Sequence, residues 1–352
     1  MRGRIGYTSV TAAFLLCSCT TATPVATLPP APTVTVPAAG ETLAVATRSA
    51  DAADDPAIFA PAGGLTAYGR QHDGILLGTD KKAGLYVFAL TGESLQFLPE
   101  GLLNNVDLRA TAGGGFVAGA SDRGRMGVAL YRFAGAGPLV AAGFIGSDVV
   151  EPYGFCMGRV DGALIAVLVA KDGAVREYTL TDDGTTITGT ERRRYAVGTQ
   201  SEGCVIDDAT GTLYVGEELH GVWRYPLNAA PGTRTLVAGL GDGRLVADVE
   251  GVTLIRDRDE TFLIVSSQGD SAFAVWQVDG APGAERYLGR FRVGAANGVD
   301  AVTGTDGVDA WSGPAGSRFE RGLIAVQDDV NEGQTQNFKL VGWAEVRAAL
   351  ER

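Results

Sequence analysis

The 352-residue chain carries 29 Lys and Arg against 41 Asp and Glu, a formal charge of −12, and 50 of its residues are Gly. That acid excess leaves no basic stripe to neutralise the phosphates of a nucleic acid, so this partner class is excluded. Glycine at roughly twice its ordinary frequency, without a three-residue period, is not collagen, and a 45% hydrophobic content is too high for a disordered chain.

The N-terminus reads as an export signal. Arg2 and Arg4 precede an apolar stretch, Val10 to Leu16, that is too short to span a bilayer. It runs into Leu16-Cys17-Ser18-Cys19, a string similar to a bacterial lipobox, in which Cys19 would be lipidated and become the new N-terminus. Residues 1–18 are then a signal peptide, with ordinary secretion as the alternative; two arginines and no acids are lost, taking the mature charge to −14. Residues 19–40 hold five prolines and no charge, the composition of an extended tether, so the folded domain is expected over 41–352. The lipid on Cys19 would be the sole tie to a membrane, an outer membrane in a two-membrane host because Thr20 gives no inner-membrane retention signal.

Short acid- or aromatic-bearing strings then recur: DDPAIF at Asp55, NNVDLR at Asp107, EPYGF at Tyr153, SEGCVI at Glu202, DVEGVTL at Glu250 and DGVDAW at Asp309, spaced 52, 46, 49, 48 and 59 residues apart. Each is followed by an apolar strand, a polar turn and a partly alternating strand, as in GFVAGASDRGRMGVALYRF. Six units of about 50 residues, each long enough for four strands, predict an all-β six-bladed propeller with a central channel. A parallel β-helix would have a shorter period. One helix is predicted, Trp343 to Leu350, with Trp343, Val346 and Leu350 on one face. Apart from Cys17 and Cys19 the cysteines are Cys156 and Cys204, either two buried thiols or a bridge between inner strands of adjacent blades.

If the recurring strings are innermost strands, their polar residues collect at one end of the channel. Asp55, Asp107, Glu202, Glu250 and Asp309 would meet Asp248, Glu217, Glu218 and Asp306 there. So many carboxylates cannot share a small site unneutralised. Abundant oxygen ligands, with only His72 and His220 as imidazoles, suit calcium rather than zinc or copper. The plainer alternative is that each acid caps a turn or is solvated. Cations recur at matching turns: Lys81 and Lys82 in TDKK, Arg123 in SDR, Lys171 in AKDG. Beside a ring of acids they form a mixed-charge face fit for phosphate held partly through metal.

At these residues the chain resembles the β-propeller phytases, the calcium-dependent alkaline phytases of bacteria. The matching strings, in the family's order, are DAADDPAIF (51–59), TDKKAGLYVF (79–88), LNNVDLR (103–109), SDR (121–123), YGF (153–155), QSEG (200–203), EE (217–218), DVEG (248–251), SSQG (266–269), DGVD (306–309), VQD (326–328) and QNFKLVGW (336–343). The resemblance implies hydrolysis of phosphomonoesters of inositol hexakisphosphate, taken as its calcium complex, by a calcium-activated water. Several calcium ions would line the top of the channel.

It places Lys81, Lys82, Arg123, Tyr153 and Lys171 on substrate phosphates, with Lys81, Arg123, Lys171, Tyr153 and Glu202 as the catalytic set. It places Glu202, Glu218, Asp248, Glu250, Gln268, Asp306 and Asp309 on catalytic calcium. Asp55 and Asp328 fall on structural-calcium or blade-closing positions, and Glu41 approaches from the N-terminal segment. Lys171-Asp172 departs from the family's usual Lys-Glu, which puts local geometry there in doubt. A propeller hydrolase of lactonase type would not need the cations, and a non-catalytic binding propeller would use calcium only structurally. An aspartyl-phosphate loop at Asp182-Asp183-Gly184-Thr185 has the wrong acid spacing. A monomer is expected.

Overall fold

The computed structural model describes residues 28–48 and 51–352, so the predicted signal peptide and Cys19 lie outside the described residues. Six four-stranded antiparallel sheets stand around one axis as the blades of a propeller. Each recurring string is an innermost strand: Ala53–Phe59, Leu103–Ala110, Pro152–Val160, Ser201–Asp207, Val249–Asp257 and Val308–Trp311. These six strands neighbour one another in a closed ring around the channel. The buried apolar residues fall into six clusters, one in the wedge between each pair of neighbouring blades. Radial repetition thus gives every sheet two buried faces, which is why strands such as Leu164 to Ala170 are apolar throughout. The predicted helix is present as Trp343–Leu350; its buried Trp343 and Val346 pack between the fifth and sixth blades.

The N-terminal segment departs from the expected tether. Thr33–Pro37 is a strand that pairs in parallel with Arg286–Gly294, adding a fifth strand to the fifth blade. Gly40–Glu41 then pairs with Asn337–Gly342 as the outer strand of the sixth blade, closing the ring. Folded structure therefore begins ahead of Glu41. The missed signal is Thr33-Val34-Thr35-Val36, a short β-branched run hidden among the prolines; Val36 is buried in the core.

Two devices bring side chains to one end of the channel, here called the apex. The first is a β-bulge near the apical end of five innermost strands: at Ala53/Pro56, opposite Ala120/Asp122 where Asn104 and Asn105 sit, and at Pro152/Gly154, Ser201/Cys204 and Val249/Val252. A bulge spends an extra residue and re-aims the side chains beside it. The second is a glycine directly after an apex residue, in Tyr153-Gly154, Glu202-Gly203, Glu250-Gly251 and Asp306-Gly307. A Cβ on Gly154 would lie 1.9 Å from the Glu202 carbonyl oxygen, and one on Gly203 would lie 2.2 Å from that of Glu250. Only glycine lets neighbouring inner strands approach this closely.

Candidate metal and phosphate site

At the apex Glu202, Glu218 and Glu250 each offer a carboxylate oxygen within 4.8 Å of the others, and all three are buried. Glu202 and Glu250 come from bulged inner strands, whereas Glu218 comes from the hairpin turn after Thr212–Glu217. Asn104 Nδ2 donates to Glu202 Oε1 at 2.6 Å. Glu218 Oε1 and Glu250 Oε2 meet no hydrogen-bond donor among the described residues. Burial above all, reinforced by Glu202 and Asp248, pushes the Glu218 carboxyl up to about 7. Burial together with Glu202 and Glu218 also raises Glu250 well above the carboxylate range. Three buried carboxylates, two of them with an orphaned oxygen, carry an unmet demand for positive charge.

A second acidic group lies alongside, and the chain supplies its cation. Lys81 Nζ stands 2.5 Å from Asp51 Oδ1, 3.2 Å from Asp54 Oδ1 and 3.0 Å from Asp306 Oδ2. Burial works against its charge, yet Asp54, Asp306 and Glu202 outweigh that cost and hold the ammonium above its ordinary pKa. Asp306, pushed up to about 6 by burial, also accepts from Gln268 Nε2. The Asp248 backbone oxygen accepts from Gln268 N at 3.0 Å, which ties Asp248 to the same corner. Asp54 is the acid that sequence reasoning missed. The two aspartates of DDPAIF look alike in sequence, and the bulge at Ala53/Pro56 sends Asp54 to the apex. Asp51 was likewise passed over within DAADD.

The other cations form a more open arc. Arg123 Nη1 and Lys171 Nζ lie 3.8 and 3.9 Å from Glu151 Oε1, and Lys171 Nζ sits 5.3 Å above the Tyr153 ring. Arg123 Nε is buried without an acceptor among the described residues. Lys82 is partly exposed, 3.4 Å from Asp51. Burial and the charges of Glu202, Glu250 and Glu218 raise the Tyr153 hydroxyl far above its usual pKa, so it remains a donor.

Several predicted ligands are elsewhere. Asp55 Oδ2 accepts from Val106 N at 3.0 Å, Asp107 Oδ2 from Met157 N at 2.7 Å, and Asp309 Oδ2 from Ile58 N at 2.7 Å. Each bond joins the inner strand of one blade to that of the next. Asp309 Oδ1 also accepts from Thr253 Oγ1 at 3.1 Å. These acids line a cavity of about 390 Å³ below the apex, with Arg109 and Arg256, and act as staples rather than apex ligands. A strand register explains it: Asp107 and Asp309 come three residues after the apex residues Asn104 and Asp306, and so sit lower in the channel. Glu217 also turns away, accepting from Thr199 N at 2.8 Å and Trp223 Nε1 at 2.6 Å.

Glu41 and Asp328 likewise leave the predicted set. They converge on the fully buried Lys339 ammonium, with Glu41 Oε2 at 2.8 Å and Asp328 Oδ2 at 3.1 Å, and Asp300 completes the group. The chain's own ammonium is the counterion of these acids, and Asp328 takes the blade-closing one of its two expected roles. Replacing Lys339 with Met should leave three carboxylates uncompensated at the ring closure. We expect a loss of about 3 kcal/mol in denaturant unfolding in the presence of a chelator.

A six-bladed propeller whose apex pairs buried carboxylates that could hold a metal ion with an arc of cations has the architecture of an enzyme acting on anions. The phytase family model matches residues 5–352, and the chain belongs to the phytase family. It is 32% identical over 316 residues to a 3-phytase of Bacillus subtilis (strain 168), covering 84% of this chain and 80% of that protein. Among solved structures, BBS1N in complex with ARL6DN superposes with a TM-score of 0.45 at 12% identity, over 77% of this chain and 76% of that one, a likeness too weak to bear on activity.

Proposed function

We propose that the chain hydrolyses phosphomonoesters of phytate to lower inositol phosphates, using calcium ions held at the apex. The observation that carries this is the Glu202–Glu218–Glu250 group, with its orphaned oxygens, beside the cations Lys82, Arg123 and Lys171. An all-oxygen donor set without imidazole or thiolate fits a hard divalent cation. Glu202, Glu218 and Glu250 would hold it, with Asp54, Asp248, Gln268 and Asp306 as the adjoining donors.

Bound calcium would neutralise phosphate oxygens and lower the pKa of a water for in-line attack at phosphorus. The chain's own groups bind and orient. Arg123 presents a planar fork with a free Nε, Lys171 and Lys82 add point charges, and the protonated Tyr153 hydroxyl donates. Lys81 is engaged by Asp51, Asp54 and Asp306, so its first task is to keep those acids charged and in place. Substrate as a calcium complex accounts for how a chain of mature charge −14 accepts a polyanion. The N-terminal reading supports export with a lipid on Cys19, and the Cys156–Cys204 bridge is in keeping with an oxidising compartment. We take the working unit as a monomer.

Phosphate release from calcium phytate should vanish with a chelator and return with added calcium; release that survives chelation would sink the proposal. Stability should change in parallel. Glu218 and Asp306 have folded-state pKa values raised to about 7 and about 6, so the folded state holds their protons longer than the unfolded chain does. In chelator, the melting temperature should therefore fall as pH rises from about 4.5 to about 7. Calcium should flatten or reverse that fall.

A further inference from the structure

Glu151 has no part in the metal group, yet it occupies a telling position. It lies at the start of the third blade, two residues before Tyr153, and its carboxylate is partly exposed at 37%. Its Oε1 is 3.8 Å from Arg123 Nη1 of the second blade and 3.9 Å from Lys171 Nζ of the third. Both separations are within ion-pair range but beyond hydrogen-bond contact. The backbone fixes the arrangement, because Lys171 N donates to Glu151 O at 3.1 Å and Arg123 N to Leu102 O at 2.9 Å. Arg123 keeps its buried Nε without an acceptor among the described residues, so the carboxylate does not satisfy the guanidinium.

We infer that Glu151 is a placeholder anion for the phosphate cradle. It sits between Arg123 and Lys171 where a phosphoryl group would bind, holds the two cations in position across the blade boundary, and must be displaced or opposed by each incoming phosphate. The inference rests on the phosphate-binding reading of these cations. A loosely bridging monoanion gives way to a phosphate dianion with three acceptor oxygens, which can form the short charge-assisted contacts that Glu151 lacks. It also opposes retention of free phosphate after hydrolysis. Glu151 is therefore a positioning residue that tunes affinity and release; it performs no chemical step.

The test is steady-state hydrolysis of calcium phytate by the full mature chain, with inorganic phosphate as inhibitor. In Glu151→Gln, KM and the inhibition constant for phosphate should fall together by roughly threefold to tenfold, the size expected for removing one partly exposed charge from two cations. The fall should shrink as salt is raised. Glu151→Asp, which keeps the charge on a shorter arm, should return both constants toward wild type. A merely structural Glu151 would lower kcat and leave the phosphate constant unchanged, and that result, or a raised constant, overturns the inference. Failure of the wild-type chain to be inhibited by phosphate at all would instead discredit the cradle itself.

Discussion

Glu202→Gln is expected to lower phosphate release from calcium phytate by roughly 10²- to 10³-fold, the scale of removing one electrostatic contributor to a buried transition-state site. The substitution preserves shape and keeps an oxygen for Asn104 Nδ2, which donates to Glu202 Oε1 at 2.6 Å. What it removes is one of three buried negative charges facing a common point. The folded chain itself should be no less stable without calcium, because Glu202 raises the carboxyl pKa values of both Glu218 and Glu250. The measurement is kcat/KM together with unfolding in chelator. Activity within threefold of wild type would remove Glu202 from the catalytic set. Asp309→Asn is the matched control: Asp309 staples the sixth blade to the first through Ile58 N, so the change should cost about 1–3 kcal/mol of stability and spare kcat.

The second large effect concerns the disulfide. Cys156 and Cys204 are bonded across the third and fourth inner strands, with Cα atoms 5.7 Å apart and a sequence separation of 48. Loop-closure entropy for a span of that size gives about 4 kcal/mol. The double variant Cys156→Ser, Cys204→Ser should lose about that much in denaturant unfolding, relative to the oxidised wild type. The bridge stands where other blade boundaries use an aspartate: Asp55, Asp107 and Asp309 make the equivalent joints to Val106, Met157 and Ile58. It lies directly beneath Tyr153 and Glu202, so loosening should also lower kcat by spreading those two side chains. Unchanged stability would mean that the wedge packing of Val167, Ile206 and Val215 alone holds the joint.

Much of this molecule was legible before any coordinates. The recurrence near 50 residues, the apolar strands between polar turns and the single amphipathic C-terminal run specified six blades and one helix. These are local properties, written in periods of two and of 3.6. Cys156 and Cys204 were legible as lying on adjacent inner strands, but the choice between two buried thiols and a bridge was left to the structure, which bonds them. The chemistry was also legible in outline. Acid excess, few imidazoles and cations at matching turns pointed to carboxylates and cations gathered at one end of the channel, which is where the structure brings Glu202, Glu218, Glu250, Arg123 and Lys171 together.

The assignment of individual acids was not legible, and the reason is geometric. In DDPAIF, Asp54 goes to the apex and Asp55 to the staple at Val106, a choice made by the bulge at Ala53/Pro56. A bulge is set by how two strands pair, which one strand's sequence does not display. The same applies to Asp306 and Asp309 in DGVD, where three residues of descent along the channel separate a site acid from a structural one.

Lys339 is the sharpest case. Its string QNFKLVGW reads as an ordinary strand, and Glu41, Asp300 and Asp328 lie 298, 39 and 11 residues away in sequence. Only the closure of the ring, with the N-terminal strand laid against the last blade, makes that lysine the counterion of three acids. Sequence by itself determined the fold, the number of blades and the kinds of groups at the site. Tertiary structure decided which charges meet, because opposite charges hundreds of residues apart are paired by topology alone.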